Sequence, residues 1–153
     1  MLDPLPVVKT EMLIRKPAEV VFEAFVNPEI TTKFWFTKSS GRLEAGRKVK
    51  WEWEMYGVAD EILVKELEPN KRILIESSDG TQVEWILSSR AANETFVTIT
   101  NSGFTGSDQE IMVQAIDSMG GYTMVLCALK ALLEHNILLN AVADKAPDAH
   151  VIR

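Results

Sequence analysis

Histidine and cysteine are almost missing from this chain. It holds two His (His135 and His150) and one Cys, Cys127. A single cysteine cannot form an internal disulfide, and so few soft ligands cannot build a Cys/His zinc site, so no metal is expected. A Ser-His-Asp arrangement is set aside on the same ground, because His150 lies in the polar tail and His135 near a helix end. An excess of positive charge is also missing: 16 Lys and Arg against 22 Asp and Glu leave a net charge of −6. A general nucleic-acid binder needs the opposite balance to displace counterions from phosphate. No stretch approaches the run of about 18–20 apolar residues that spans a bilayer. The segment from Met1 to Arg15 is interrupted by Asp3, Pro4, Pro6, Lys9 and Glu11, so it offers no apolar core for a signal peptide. The expected location is therefore cytoplasmic, and the Asn93-Glu94-Thr95 sequon reads as coincidence.

What is present is a chain of 153 residues, the size of one ordinary domain, with 46% hydrophobic and 25% charged residues. Such a composition folds. Four Trp, two Tyr and six Phe stand where catalytic partners are scarce. The segment Val7 to Arg15 reads as a strand, and Pro17 marks the start of a helix, since a missing N–H costs nothing at the first helical position. Asn27-Pro28 ends that helix, and a short second helix runs from Pro28 to about Phe34. From Gly41 to Phe104 the period is two. Val49, Trp51, Trp53 and Met55 are expected on one dry face, with Lys48, Lys50, Glu52 and Glu54 on the other. Further strands are expected at Val58 to Leu67, Arg72 to Ser77, Gln82 to Ser88 and Thr95 to Asn101. Pro69-Asn70, Asp79-Gly80 and Ala92-Asn93 separate them, which makes them antiparallel neighbours. Ser107 with Glu110 forms a capping box, and Ile111, Ala115, Ser118, Tyr122, Leu126, Leu129 and Leu133 trace one face of a helix reaching about Asn140. A sheet with one dry face and one substantial helix to cover it gives an α+β class.

Few motifs carry chemistry. Gly41 to Lys48 mimics a phosphate loop, but a strand follows it where a phosphate cradle needs a helix N-terminus, so it reads as a turn. The acid–base candidates are Asp60, which shares a face with Ile62 and Val64, and Glu84, which sits between Val83 and Trp85 and so faces away from them. Gly120-Gly121 inside a helix costs about 1 kcal/mol per residue relative to Ala. The pair makes room either for a cavity or for close packing of helix on strand. Tyr122 brings an apolar body and a hydroxyl that needs a partner when buried. Cys127 reads as a small buried hydrophobe, and Ile137, Leu138 and Leu139 are expected to pack a neighbouring element or a dimer partner. The candidate ligand-binding set is Trp35, Trp51, Trp53, Met55, Val83, Trp85, Ser118, Tyr122 and Leu126.

The order and spacing of several segments resemble a known family. They are Lys16 to Phe25, Asn27-Pro28-Glu29, Phe34-Trp35-Phe36, Gly41 to Gly46, Val49-Lys50-Trp51, Pro69 to Ile73, Glu94 to Thr98, Asn101 to Phe104, Gly120 to Leu126, and Leu129-Lys130. Together they resemble the activator of Hsp90 ATPase homologue 1-like proteins, of the START-like (SRPBCC, Bet v 1-like) superfamily. The resemblance covers about Val7 to Asn140 and implies a helix-grip fold. In that fold a curved antiparallel sheet wraps a long C-terminal helix, with two short helices after the first strand. It divides the chain into an N-terminal segment (1–6), the domain (7–140) and a C-terminal tail (141–153). It also implies a cavity for a hydrophobic small molecule, with no shared catalytic residues, metal or cofactor. A Trp often follows the helical glycine in this family, and Tyr122 in its place implies a more polar pocket wall. Three functions are therefore expected in order: small-molecule binding; polyketide cyclase-like acid–base catalysis using Asp60, Glu84 and Tyr122; and a stress-linked or Hsp90-type chaperone interaction domain, with a homodimer as a further expectation.

Overall fold

Alternation builds the sheet. In the computed structural model, which describes residues 2–146, the first strand β1 spans Val8–Ile14; Val8, Thr10 and Ile14 are buried while Lys9 and Glu11 face water. Pro17 caps the helix α1 (Ala18–Val26). Asn27 then breaks it and caps the start of α2 (Pro28–Thr31) by accepting the Glu29 N–H at 3.0 Å; α2 ends at Thr31, about one turn earlier than expected. A two-residue strand β2 (Lys38–Ser39), not expected from the pattern, precedes β3 (Lys48–Trp53). The remaining strands are β4 (Val58–Glu68), β5 (Arg72–Glu76), β6 (Gln82–Ala91) and β7 (Glu94–Ser102). The long helix α3 (Asp108–His135) follows, then α4 (Ala141–Lys145). The sheet is antiparallel throughout, in the order β1-β7-β6-β5-β4-β3-β2.

One face of this sheet is dry. Val49, Trp51, Ile62, Val64, Ile73, Ile75, Val83, Trp85, Val97 and Ile99 join one core with Val21, Phe25, Leu126 and Leu129 of the helices. The register puts Trp85 between Ile73 and Ile99, and Trp51 opposite Asp60. The alternation slips once in β4, where the pairing shifts between Val64 and Glu66. Val64 is buried, Lys65 and Glu66 are both exposed, and Leu67 turns inward again. The bulge absorbs the extra polar residue and lets one strand obey the pattern on both sides of it. Trp85 is 1% exposed. Burying an indole of about 200 Å² stabilises by up to about 5 kcal/mol, so residues of this kind dominate the core.

Several expectations are corrected. Met55 does not extend β3. Trp53 pairs with Val58, so Glu54 to Gly57 must reverse the chain, and Met55 sits in a 3-10 turn, 38% exposed. Gly57 closes this turn with φ +63°, a conformation that side chains with a Cβ rarely adopt. The helix α3 stops at His135, because Asn136 takes a left-handed conformation (φ +52°) and its N–H bonds back to Leu132 O at 2.9 Å. Ile137, Leu138 and Leu139 consequently lie in the link to α4, each about half exposed. Cys127 is exposed as well. Val125, Leu126, Ala128 and Leu129 set the buried side of the helix, and Cys127 projects away from it. Ser107 and Glu110 form the expected capping box, each satisfying the other's backbone N–H. By length and apolarity alone α3 could cross a bilayer (mean hydropathy 1.3), but it packs on β1 and the core.

Outside the core, Glu23 of α1 accepts two bonds from Arg42, at 2.5 and 2.9 Å. These bonds hold the Glu23 carboxyl below its ordinary range, against a smaller opposing effect of burial. A depressed carboxylate contributes stability above its unfolded pKa and loses it as pH falls through the folded one. Glu23→Gln should therefore lower stability at neutral pH, by little for so exposed a pair. The gap to wild type should close as pH falls below about 4.3 in urea unfolding series; a gap independent of pH would contradict the assignment.

Candidate functional site

Trp35 is placed by the turn that follows α2. Thr31 fixes this turn twice: its hydroxyl donates to Ala24 O at 2.6 Å, and its carbonyl accepts the N–H groups of Phe34 and Trp35 at 3.1 and 3.0 Å. The Trp35 indole is thereby driven into the middle of the fold. Its ring centroid lies 4.8 Å from Trp51, 5.9 Å from Trp85, 5.7 Å from Tyr122 and 6.2 Å from Trp53. These are tilted and edge-on contacts, the arrangements aromatic quadrupoles favour, worth about 0.5–1.5 kcal/mol per pair beyond burial.

Beside this cluster a cavity of about 370 Å³ opens between β3, β4 and α3. That is within the range of small-molecule sites. Trp35, Trp51, Trp53, Tyr56 and Tyr122 supply its aromatic wall. Val58 and Asp60 line it from β4, and Asp117, Ser118, Gly121 and Val125 from α3. Its outer end is bordered by α4, through Val142, Lys145 and Ala146. Tyr56 holds α4 there: its hydroxyl donates to the carbonyl of Val142 and, at 3.2 Å, to that of Ala143.

The helical glycines part company in this setting. A Cβ on Gly121 would meet nothing within 4 Å, and Gly121 lines the cavity. A Cβ on Gly120 would lie 3.1 Å from Lys145 Nζ. Neither glycine lets a strand approach the helix; Gly121 faces open space, and Gly120 lies under the Lys145 side chain.

The sequence candidates fall into three groups. Trp35, Trp51, Trp53, Ser118, Tyr122 and Asp60 are brought together around the cavity. Val83, Trp85 and Leu126 lie behind that surface in the core. The Trp85 indole N–H is buried there without a hydrogen-bond partner among the described residues. Met55 and Glu84 are elsewhere. Met55, at the hairpin tip, borders a separate cleft of about 200 Å³. Glu84 is on the outer sheet face, because it alternates with Val83 and Trp85, and its carboxylate accepts from Arg72 Nε at 2.6 Å. Arg72 also pairs with Glu66. Sequence reading missed Tyr56, Val58, Asp117, Val142 and Lys145. A lone Tyr after a clean strand was a usable signal; nothing local marked the residues of the tail.

The polar groups differ in what they offer. Asp60 accepts from the Ser78 N–H (3.2 Å) and hydroxyl (2.5 Å), both on Oδ1. Ser118 Oγ lies 2.7 Å from Asn101 Oδ1, and Asn101 Nδ2 donates to Gln82 O at 2.8 Å. Burial, with the nearby negative charges of Asp60 and Asp79, pushes the Tyr122 phenol well above its ordinary pKa. Tyr122 therefore stays protonated at neutral pH and acts as a donor rather than a base. Among the described residues no cluster of His, Cys, Asp and Glu could hold a metal ion.

A curved antiparallel sheet gripping one long C-terminal helix, with two short helices after the first strand, defines the helix-grip class of α+β proteins. The sequence matches the model of the activator of Hsp90 ATPase homolog 1-like protein family over residues 15–134, so the chain belongs to that family. A search of curated proteins finds no significant match. Among solved structures, protein SSP2350 from Staphylococcus saprophyticus is 30% identical, with 88% of this chain and 96% of that one covered at a TM-score of 0.76. The Aha1 dimer from Colwellia psychrerythraea is 21% identical (85% and 97% covered, TM-score 0.71). DynU16, a protein of the dynemicin biosynthetic locus, is also 21% identical, with 86% of this chain and 48% of that one covered at a TM-score of 0.71. The last two show the fold alone.

Two substitutions separate framework from space. Trp35→Ala should cost about 3–5 kcal/mol in chemical denaturation, since it removes the ring that the others share. Gly121→Ala should stabilise by up to about 1 kcal/mol, because helix propensity improves and the Cβ enters open space. A destabilised Gly121→Ala protein would mean that the helix packs more closely there than described.

Proposed function

We propose that this protein binds an apolar small molecule in the cavity between β3, β4 and α3. The observation that carries the reading is the pairing of an aromatic wall with Gly121, whose absent side chain keeps that wall from being covered. A merely greasy core gains stability by filling such space, since an empty apolar void forfeits contacts. Binding rather than catalysis is favoured by the polar inventory. Glu84 points away from the cavity, and a phenol held well above its ordinary pKa is a poor proton donor, so Asp60 has no well-matched acid beside it. A cyclase-like reaction needs both an acid and a base at the reacting carbons. Native mass spectrometry of the purified protein should reveal a co-purifying small molecule. The neutral dye N-phenyl-1-naphthylamine should bind and gain fluorescence, and Gly121→Leu should abolish that gain while leaving far-UV circular dichroism unchanged. Unaltered dye binding in Gly121→Leu would place the dye elsewhere and remove the reading.

A homodimer is the second part of the proposal. Met112, Val113, Ile116 and Met119 stay exposed on α3, Ile116 to 70%, as do Ile137, Leu138 and Leu139. The Aha1 protein from Colwellia psychrerythraea is a dimer in solution. Burial against a second copy would take this apolar surface out of water. Light scattering should give the mass of two chains, and Ile116→Lys should halve it. A monomeric wild-type protein would end this part.

A further inference from the structure

We propose that the cavity selects a cationic ligand: an apolar or aromatic body carrying an amine or ammonium group, which meets Asp60 and Ser118. The inference rests on the cavity being a ligand site and adds the chemistry of the ligand.

The direction of each hydrogen bond supports it. Gln82 O is a carbonyl and can only accept, so the Asn101 group donating to it is the amide nitrogen. The Asn101 oxygen then faces Ser118, and Ser118 must spend its one proton on it. What Ser118 presents to the cavity is a pair of lone pairs. Asp60 likewise takes both Ser78 bonds on Oδ1, and Oδ2 accepts no hydrogen bond from the described residues. Asp117, exposed on α3, adds a second carboxylate to the lining. Tyr122 and Ser77 add hydroxyls to the lining, but its charged groups from the sheet and α3 are carboxylates, and Ser118 adds an acceptor beside them; such a side pairs with cations.

The apolar side agrees. Five rings (Trp35, Trp51, Trp53, Tyr56 and Tyr122) border the same space, and the faces of Trp and Tyr attract cations through their quadrupoles. Burial is the main reason that the Tyr122 phenol is raised, and the negative charges of Asp60 and Asp79 add to it in the same direction. Among the described residues one basic side chain lines the cavity, Lys145. It belongs to the five-residue α4, is exposed, and lies over Gly120 at the outer end, whereas Asp60 is part of the sheet wall. Two carboxylates against one ammonium leave the described lining net negative. A carboxylate ligand would meet Asp60 and the Ser118 lone pairs unpaired, and a buried charge without a partner is costly.

Three probes with one ring system test this at pH 7 by calorimetry: 2-naphthylmethylamine, neutral 2-naphthylmethanol and 2-naphthylacetate. The amine should bind at least tenfold more tightly than the alcohol, and the acid more weakly than the alcohol. Asp60→Asn should remove most of the amine's advantage over the alcohol, and N-phenyl-1-naphthylamine should still bind the variant, which shows that the cavity is intact. Lys145→Gln should leave the amine the preferred probe. Equal binding of amine and alcohol, preference for the acid, or an amine advantage that survives Asp60→Asn would overturn the inference while leaving the ligand-binding reading standing. Failure of all three probes together with the neutral dye would instead remove the reading beneath it.

Discussion

The fold depends on the wedging of Trp35 between the sheet and α3. Its ring touches Trp51 and Trp53 of β3, Trp85 of β6 and Tyr122 of α3. Sheet, long helix and the turn after α2 therefore share one aromatic hub. The sheet is open, with β1 and β2 at its two edges, so no strand pairing closes it. Side-chain packing must hold α3 within its curve, and large rings at the centre do so with little entropy cost.

The same hub explains why a cavity can persist beside a well-packed core. Rings lean on one another at angles between 23° and 90°, bracing the wall from behind. Val83, Trp85 and Leu126 provide the second layer, so they shape the site without reaching its surface. The space itself is kept by Gly121, and its outer end is bordered by α4 through the Tyr56 hydrogen bonds to the carbonyls of α4. Framework and site thus use different residues, and the cost of an unfilled volume is offset by the dense aromatic contacts next to it.

Much of this was legible beforehand because period-two alternation, capping residues and turn signals are local. Each strand from β3 to β7 is marked by its own apolar spacing, and the Ser107–Glu110 box marks the start of α3. Where the reading failed, the deciding contact was non-local. Met55 continues the alternation of β3, yet the pairing of Trp53 with Val58 requires the chain to turn before it can join the wall. Cys127 sits among apolar neighbours, but Leu126 and Leu129 hold the phase of the helix and leave it outside. Val142 and Lys145 carry no local mark of the site they border.

Composition and order alone determined the class of the chain: an acidic domain poor in His and Cys, with one dry sheet face and one long helix to cover it. They also pointed to aromatic residues as candidate wall residues, with Asp60 and Glu84 as the acid–base alternatives. Only the tertiary structure decided which aromatics face open space and which face one another. It also decided that Asp60 lines the cavity whereas Glu84 pairs with Arg72 outside. The physical reason is that a pleat assigns a residue to a face, while a cavity depends on what the opposite element leaves unfilled, and that is settled only when α3 and α4 have packed.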